Sequence, residues 1–98
     1  METLFGNTLK KARGERGMRQ RELAEILEID IPMFSKIEKG ERRAKREQVV
    51  TMAETLGQDR IEWLAIWLAD KVLDAVENEY ALQLAALNIA REKIRNDW

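Results

Sequence analysis

Apolar residues recur along most of the chain at spacings of three and four, the period of an α-helix packed on one side. Leu4, Phe5, Leu9 and Ala12 form the first such run, and Gly14 and Gly17 loosen its end, which predicts a helix over about 4–16. In the next stretch, 20–27, Leu23, Ala24 and Leu27 share one face while Arg21, Glu22, Glu25 and Glu28 lie elsewhere, which predicts a short second helix. Asp30 is a good N-cap and Pro32 falls in the first turn, where a missing N–H is harmless, so a third helix runs from 31 to near 40. A fourth covers 46–56, with Val49, Val50, Ala53 and Leu56 apolar and Gly57 placed just past its end. Asp59 and Glu62 have capping-box spacing ahead of Ile61, Trp63, Leu64, Ile66, Trp67, Leu68, Val72, Leu73 and Val76, a long and unusually apolar fifth helix. Glu77, Asn78 and Glu79 interrupt it. A last helix over about 79–96 carries Tyr80, Leu84, Leu87, Arg91 and Ile94 at alternating spacings of four and three, the pattern of a helix-pairing seam.

The composition agrees with an all-α chain. A single Pro and five Gly among 98 residues leave no recurrent strand-and-turn spacing, and 45% apolar with 36% charged residues is the make-up of a soluble globular domain. Gly57 is the best boundary, separating 1–57 from 58–98. With no cysteine and no histidine, thiolate and imidazole metal sites, Ser-His-Asp and Cys-His nucleophiles and the usual general base are all missing, so the reading is no enzyme, no metal and no cofactor. Asp70 and Asp74 lie one helical turn apart, a spacing that more often marks a solvated face than a catalytic pair. Residues 58–98 are too few to enclose a pocket of several hundred Å³ or so, and no small-molecule effector is expected. The start of the chain lacks a basic region followed by an apolar run, and no stretch approaches the roughly 20 apolar residues of a membrane span, which gives a cytoplasmic expectation and no membrane partner.

Charge is divided by region. Twelve Lys/Arg stand against ten Asp/Glu in 1–57, and five against eight in 58–98, within a net charge of −1. The segments 10–21 and 36–46 each hold six basic residues, the first against Glu15 alone and the second against Glu38 and Glu41. Two basic clusters thus sit in a neutral chain, where their position says more about a polyanionic partner than the total does.

Two short helices joined by three or four residues, the second presenting polar side chains and followed by a basic loop, have the geometry that sets a helix into the DNA major groove. On a helical wheel Phe34 and Ile37 mark the inner side of the third helix, and Pro32, Ser35, Lys36 and Lys39 point away from it. The run Gln20-Arg21-Glu22-Leu23-Ala24, then Ile29-Asp30, then Phe34-Ser35-Lys36-Ile37-Glu38-Lys39-Gly40, resembles the phage-repressor (Cro and XRE) helix-turn-helix family over residues 4 to about 57. The resemblance implies a lambda-repressor-like bundle and a transcriptional regulator. It implies that Gln20 anchors a backbone phosphate, that Ile31, Pro32, Met33, Ser35 and Lys36 occupy the base-reading region, and that Arg19, Arg21, Lys39, Arg42, Arg43, Lys45 and Arg46 supply phosphate contacts. Two departures matter. Glu28 stands where the family commonly has a turn glycine, so the turn either holds a strained φ or follows another path. Ile31 and Pro32 replace polar readers, which favours thymine-methyl contacts, with Lys36 left for a guanine O6/N7 contact. Glu38 reads as structural, neutralising a nearby Arg. Ser35 is either a contact residue or a surface hydroxyl, and Lys10, Lys11, Arg13 and Arg16 read as a solvated helix face.

For 58–98, Trp63 and Trp67 beside Leu64 and Leu68 give more apolar surface than one face of a helix buries readily in so small a chain. They belong either to the monomer core or, the reading favoured from sequence, to a subunit interface. The expectation is a two-helix C-terminal dimerisation element using Ile61, Trp63, Leu64, Trp67, Leu68, Tyr80, Leu84, Leu87 and Ile94. The partners are then a second copy and double-stranded DNA carrying an inverted-repeat operator. The alternative is an antitoxin-type module whose C-terminal helices bind a partner protein while the first part autoregulates the operon.

Overall fold

The first five helices begin where a side chain accepts a backbone N–H at the helix start. The computed structural model describes residues 2–96, and these form six helices and no strand: α1 (Leu4–Glu15), α2 (Gln20–Leu27), α3 (Ile31–Lys39), α4 (Arg46–Thr55), α5 (Arg60–Ala75) and α6 (Gln83–Asn96). The Thr3 hydroxyl accepts the Gly6 N–H at 2.9 Å, Asp30 accepts that of Met33 at 2.7 Å, and Asp59 accepts those of Ile61 and Glu62 at 2.8 and 3.2 Å. Caps of this kind contribute about 1 kcal/mol each. By contrast α2 and α4 start on basic residues. There the third helical side chain reaches back: the Arg19 N–H donates to Glu22 at 2.9 Å, and the Lys45 N–H to Gln48 at 2.9 Å.

One core joins the first five helices. Phe5 and Leu9 of α1, Leu23 and Ala24 of α2, Phe34 and Ile37 of α3, and Val49, Met52, Ala53 and Leu56 on and after α4 are buried together, with Trp63 and Trp67 of α5 in the same cluster. This corrects the expectation that the two tryptophans form a subunit interface: they are 2% and 6% exposed within the single chain. Their seats are specific. The Trp63 ring meets Phe5 edge-on with centroids 5.6 Å apart, and the Trp67 indole N–H donates to the Ala44 carbonyl at 2.8 Å. Leu64 is half-buried against the same cluster and leaves the interface set with them. The expected boundary at Gly57 therefore does not divide the hydrophobic core, because α5 closes the bundle that α1–α4 leave open.

Asp70 is a second correction. It is 4% exposed, and its carboxylate accepts the backbone N–H groups of Leu4 and Phe5 at 2.9 Å each. A carboxylate placed on the first turn of α1 takes up two of that helix's free donors and complements its dipole. Asp70 thereby ties α5 to α1 across 65 residues of chain. Gly6, in the first turn of α1, lies against α3: a Cβ there would overlap the carbonyl oxygens of Glu38 and Ile37.

α6 stands apart. Turns fill 76–82, so the helix begins at Gln83 and not near 79, and none of its side chains is buried. Leu84 and Ile94 are exposed, Leu87 half-buried, and Tyr80 lies exposed in the preceding turn. On α5 the strip Ile61, Ala65, Leu68 and Val72 is also exposed, on the side opposite Trp63 and Trp67. No helix among the described residues is long and apolar enough to cross a membrane.

Candidate nucleic-acid interface

The α2–α3 unit depends on one strained residue and one buried ion pair. Glu28 ends α2 with φ 58° and ψ 40°, the left-handed conformation, and its N–H and that of Ile29 donate to carbonyls in the last turn of α2. The turn thus keeps its path at the expense of a non-glycine residue in a region costing about 1 kcal/mol or somewhat more. Gly40 ends α3 in the same region, at φ 81°.

Glu38, on the inner side of α3, is the polar centre of the unit. Arg13 of α1 donates to its carboxylate through Nε at 2.6 Å and Nη2 at 3.1 Å, and Gln20, the first residue of α2, donates through Nε2 at 2.8 Å. A further Arg13 bond, Nη1 to the Met18 carbonyl at 2.8 Å, holds the α1–α2 connection. Glu38 is structural, as expected, but Arg13 is not a solvated residue: its partner is almost wholly buried and its own side chain is 17% exposed. Three helices meet in this network, so the direction of α3 is fixed from behind.

What α3 presents outward is then defined. Ile31, Pro32, Lys36 and Lys39 are exposed and Ser35 half-buried, whereas Met33 packs against the core. Met33 accordingly leaves the expected base-reading set; it falls one residue round the helix from Phe34 and Ile37, on their side. Gln20 sits at the edge of this surface with its amide already turned to Glu38. A cleft of about 220 Å³ lies here, lined among others by Lys10, Gln20, Ser35 and Lys39. Lys10, which the helical pattern places on a solvated face, reaches the same surface only through the packing of α1 against α3.

Of the basic positions expected to meet phosphate, Arg19, Arg21, Lys39, Arg42, Lys45 and Arg46 are exposed. Two are engaged within the chain. The Arg46 guanidinium lies 5.5 Å from the centre of the Trp67 ring, with Lys71 nearer at 3.9 Å, and Arg43 donates to both carboxylate oxygens of Asp74 at 2.6 and 2.8 Å. Asp74 is therefore paired across the molecule and not simply solvated. Arg19 and Lys45 stand at the starts of α2 and α4, where free N–H groups and the helix dipole also favour an anion.

A helix-turn-helix domain family model matches residues 4–64. The chain belongs to that family. Neither the search of curated proteins nor that of solved structures found a match. The matched span runs from α1 through the first turn of α5 and includes Trp63, in agreement with a core that α5 completes. The helix-turn-helix pair itself is α2 and α3, and a domain of this family suggests a DNA-binding regulator, consistent with the Cro and XRE type.

Proposed function

We propose that the protein is a sequence-specific double-stranded DNA-binding transcriptional regulator, a repressor or autoregulator, that sets α3 into the major groove and acts as a homodimer. The observation that carries this reading is the division of α3 into two sides. Phe34, Ile37 and Glu38 are buried, and the opposite strip of Pro32, Lys36 and Lys39, with Ile31 exposed at the first turn, is uncommitted and flanked by basic residues. Lys36 then contacts a guanine edge, Ile31 and Pro32 meet thymine methyl groups, and Arg19, Arg42 and Lys45 fix the register on phosphates.

The dimer is supported by part of the expected surface, Ile61 and Leu68, joined by Ala65 and Val72. With Trp63, Leu64 and Trp67 committed to the core, Ile61, Ala65, Leu68 and Val72 remain as an exposed strip on α5 at spacings of four, three and four. Ile61 is 67% exposed, and Leu84, Ile89 and Ile94 of α6 are exposed as well. Such a strip matches a helix-pairing seam, and two-fold pairing requires an inverted-repeat operator with half-site centres about 34 Å apart.

The test is selection of bound sequences from a random duplex pool, with sedimentation of the full chain and of Leu68→Glu. An inverted repeat and a dimer that Leu68→Glu converts to a folded monomer are expected. Recovery of no preferred sequence removes the regulator reading, and a full chain monomeric at micromolar concentration removes the dimer.

A further inference from the structure

The pair between Arg43 and Asp74 bears on how strongly the protein binds DNA. Arg43 lies in the basic stretch that follows α3, and Asp74 lies in the last turn of α5, a helix outside the α2–α3 unit. One guanidinium nitrogen reaches both carboxylate oxygens, across 31 residues of chain. Among the described residues, Arg43 is the member of the 36–46 basic cluster whose charge is held by a carboxylate. The surroundings reinforce the hold: a cleft of about 320 Å³ at this place is lined by Arg43 together with Glu2, Asp74 and Glu77, and by Asp70, whose charge is turned to the start of α1.

We propose that Asp74 competes with DNA phosphate for Arg43 and so sets binding strength without touching the duplex. The inference rests on the DNA-binding reading above. Carboxylate and phosphate are interchangeable partners for a guanidinium, each taking two N–H donors from it. The exchange is feasible because both ends are open to solvent, with side chains 35% and 52% exposed, and exposed pairs of this kind are weak. A phosphate that takes up both terminal nitrogens of Arg43 must displace Asp74 from Nη2, and the cost of that displacement lowers affinity. A residue of α5 thereby tunes the interface through the loop after α3.

The experiment is equilibrium binding to the duplex selected from the random pool, for the wild type, Asp74→Asn, Glu77→Gln, Arg43→Ala and the double variant Arg43→Ala/Asp74→Asn. Asp74→Asn is expected to bind about two- to five-fold tighter. The slope of log K against log salt steepens by at most the about 0.9 that one further phosphate contact contributes. Asp74→Asn should leave affinity unchanged when Arg43 is already Ala. Glu77→Gln removes the same unit of charge beside the pair and should change affinity by less. Unchanged or weaker binding by Asp74→Asn overturns the proposal, because Asp74 is then either inert or a positioning residue for the loop. Equal tightening by Glu77→Gln, or by Asp74→Asn in the Arg43→Ala background, overturns it as a bulk charge effect. If the wild type binds no duplex, the DNA-binding reading fails first and this inference falls with it; wild-type binding with any of the preceding outcomes fails this inference alone.

Discussion

Glu38→Ala removes the acceptor of three hydrogen bonds at the meeting point of α1, α2 and α3, and leaves the Arg13 guanidinium and the Gln20 amide without that partner. Breaking a buried ion pair from one side costs about 3–5 kcal/mol when the remaining charge is fully enclosed. Arg13 is 17% exposed and keeps its bond to the Met18 carbonyl, which lowers the expectation to about 2–4 kcal/mol. With an m value of about 1 kcal/mol/M for a chain of this size, the urea midpoint should fall by about 2–4 M, followed by circular dichroism. Glu38→Gln keeps one acceptor oxygen and loses the charge, so it should lie about halfway. Replacing both partners, Arg13→Met with Glu38→Leu, should return stability to within about 1 kcal/mol of the wild type, because an apolar pair needs no compensation. A midpoint for Glu38→Ala within about 0.5 M of the wild type would falsify this account of the network. A double variant as unstable as Glu38→Ala would show instead that the site requires polarity for another reason.

Three further outcomes follow from the same contacts. Asp70→Ala strips the acceptor from the N–H groups of Leu4 and Phe5 and should cost about 2–3 kcal/mol, read as a drop of roughly 8–24 °C in melting temperature; a drop under about 3 °C would contradict the joint between α1 and α5. Glu28→Gly relieves a left-handed residue and should stabilise by about 0.5–1 kcal/mol after the entropy of glycine is counted, so a lower melting temperature would show that the Glu28 side chain makes a compensating contact. Lys36→Ala should cost about 1–3 kcal/mol on the selected duplex and little on a scrambled one, while an equal loss on both would make Lys36 a phosphate contact.

The helices were legible because nearly every start and stop carries its own local signal: Asp30 and Pro32 for α3, Gly40 for its end, Asp59 for α5. The unusual turn was also legible, since Glu28 stands at a position whose geometry does not depend on its side chain. What local pattern could not supply was the owner of an apolar face. Trp63 and Trp67 have the spacing of a pairing surface and the spacing of a core surface alike, and only the gap left by Phe5, Ala44 and their neighbours decides between them. The exposed strip Ile61, Ala65, Leu68 and Val72 has that spacing too, and the helical pattern singles out Ile61 and Leu68 of it but groups them with the larger tryptophans between them. The same limit hid Arg13 and Asp70. Both are charged residues in ordinary helical sequence, and their partners, Glu38 and the start of α1, come from 25 and 65 residues away. Gly6 gave no sequence signal, because a glycine demanded by a neighbouring backbone looks like any other.

The contact at Gly6 has a consequence for how such a protein could change its target over generations. The angle of α3 is held by backbone carbonyls lying against α1 and by side chains on its inner side, and neither involves Ile31, Pro32, Lys36 or Lys39. The frame and the proposed reading strip therefore share no residue. Substitutions along the strip leave the scaffold intact, so new sequence preferences are open to selection at little loss of stability. A change at Gly6 would tilt every potential contact at once. Variation should accordingly accumulate on the outer strip of α3, while the glycine beneath it is held nearly invariant.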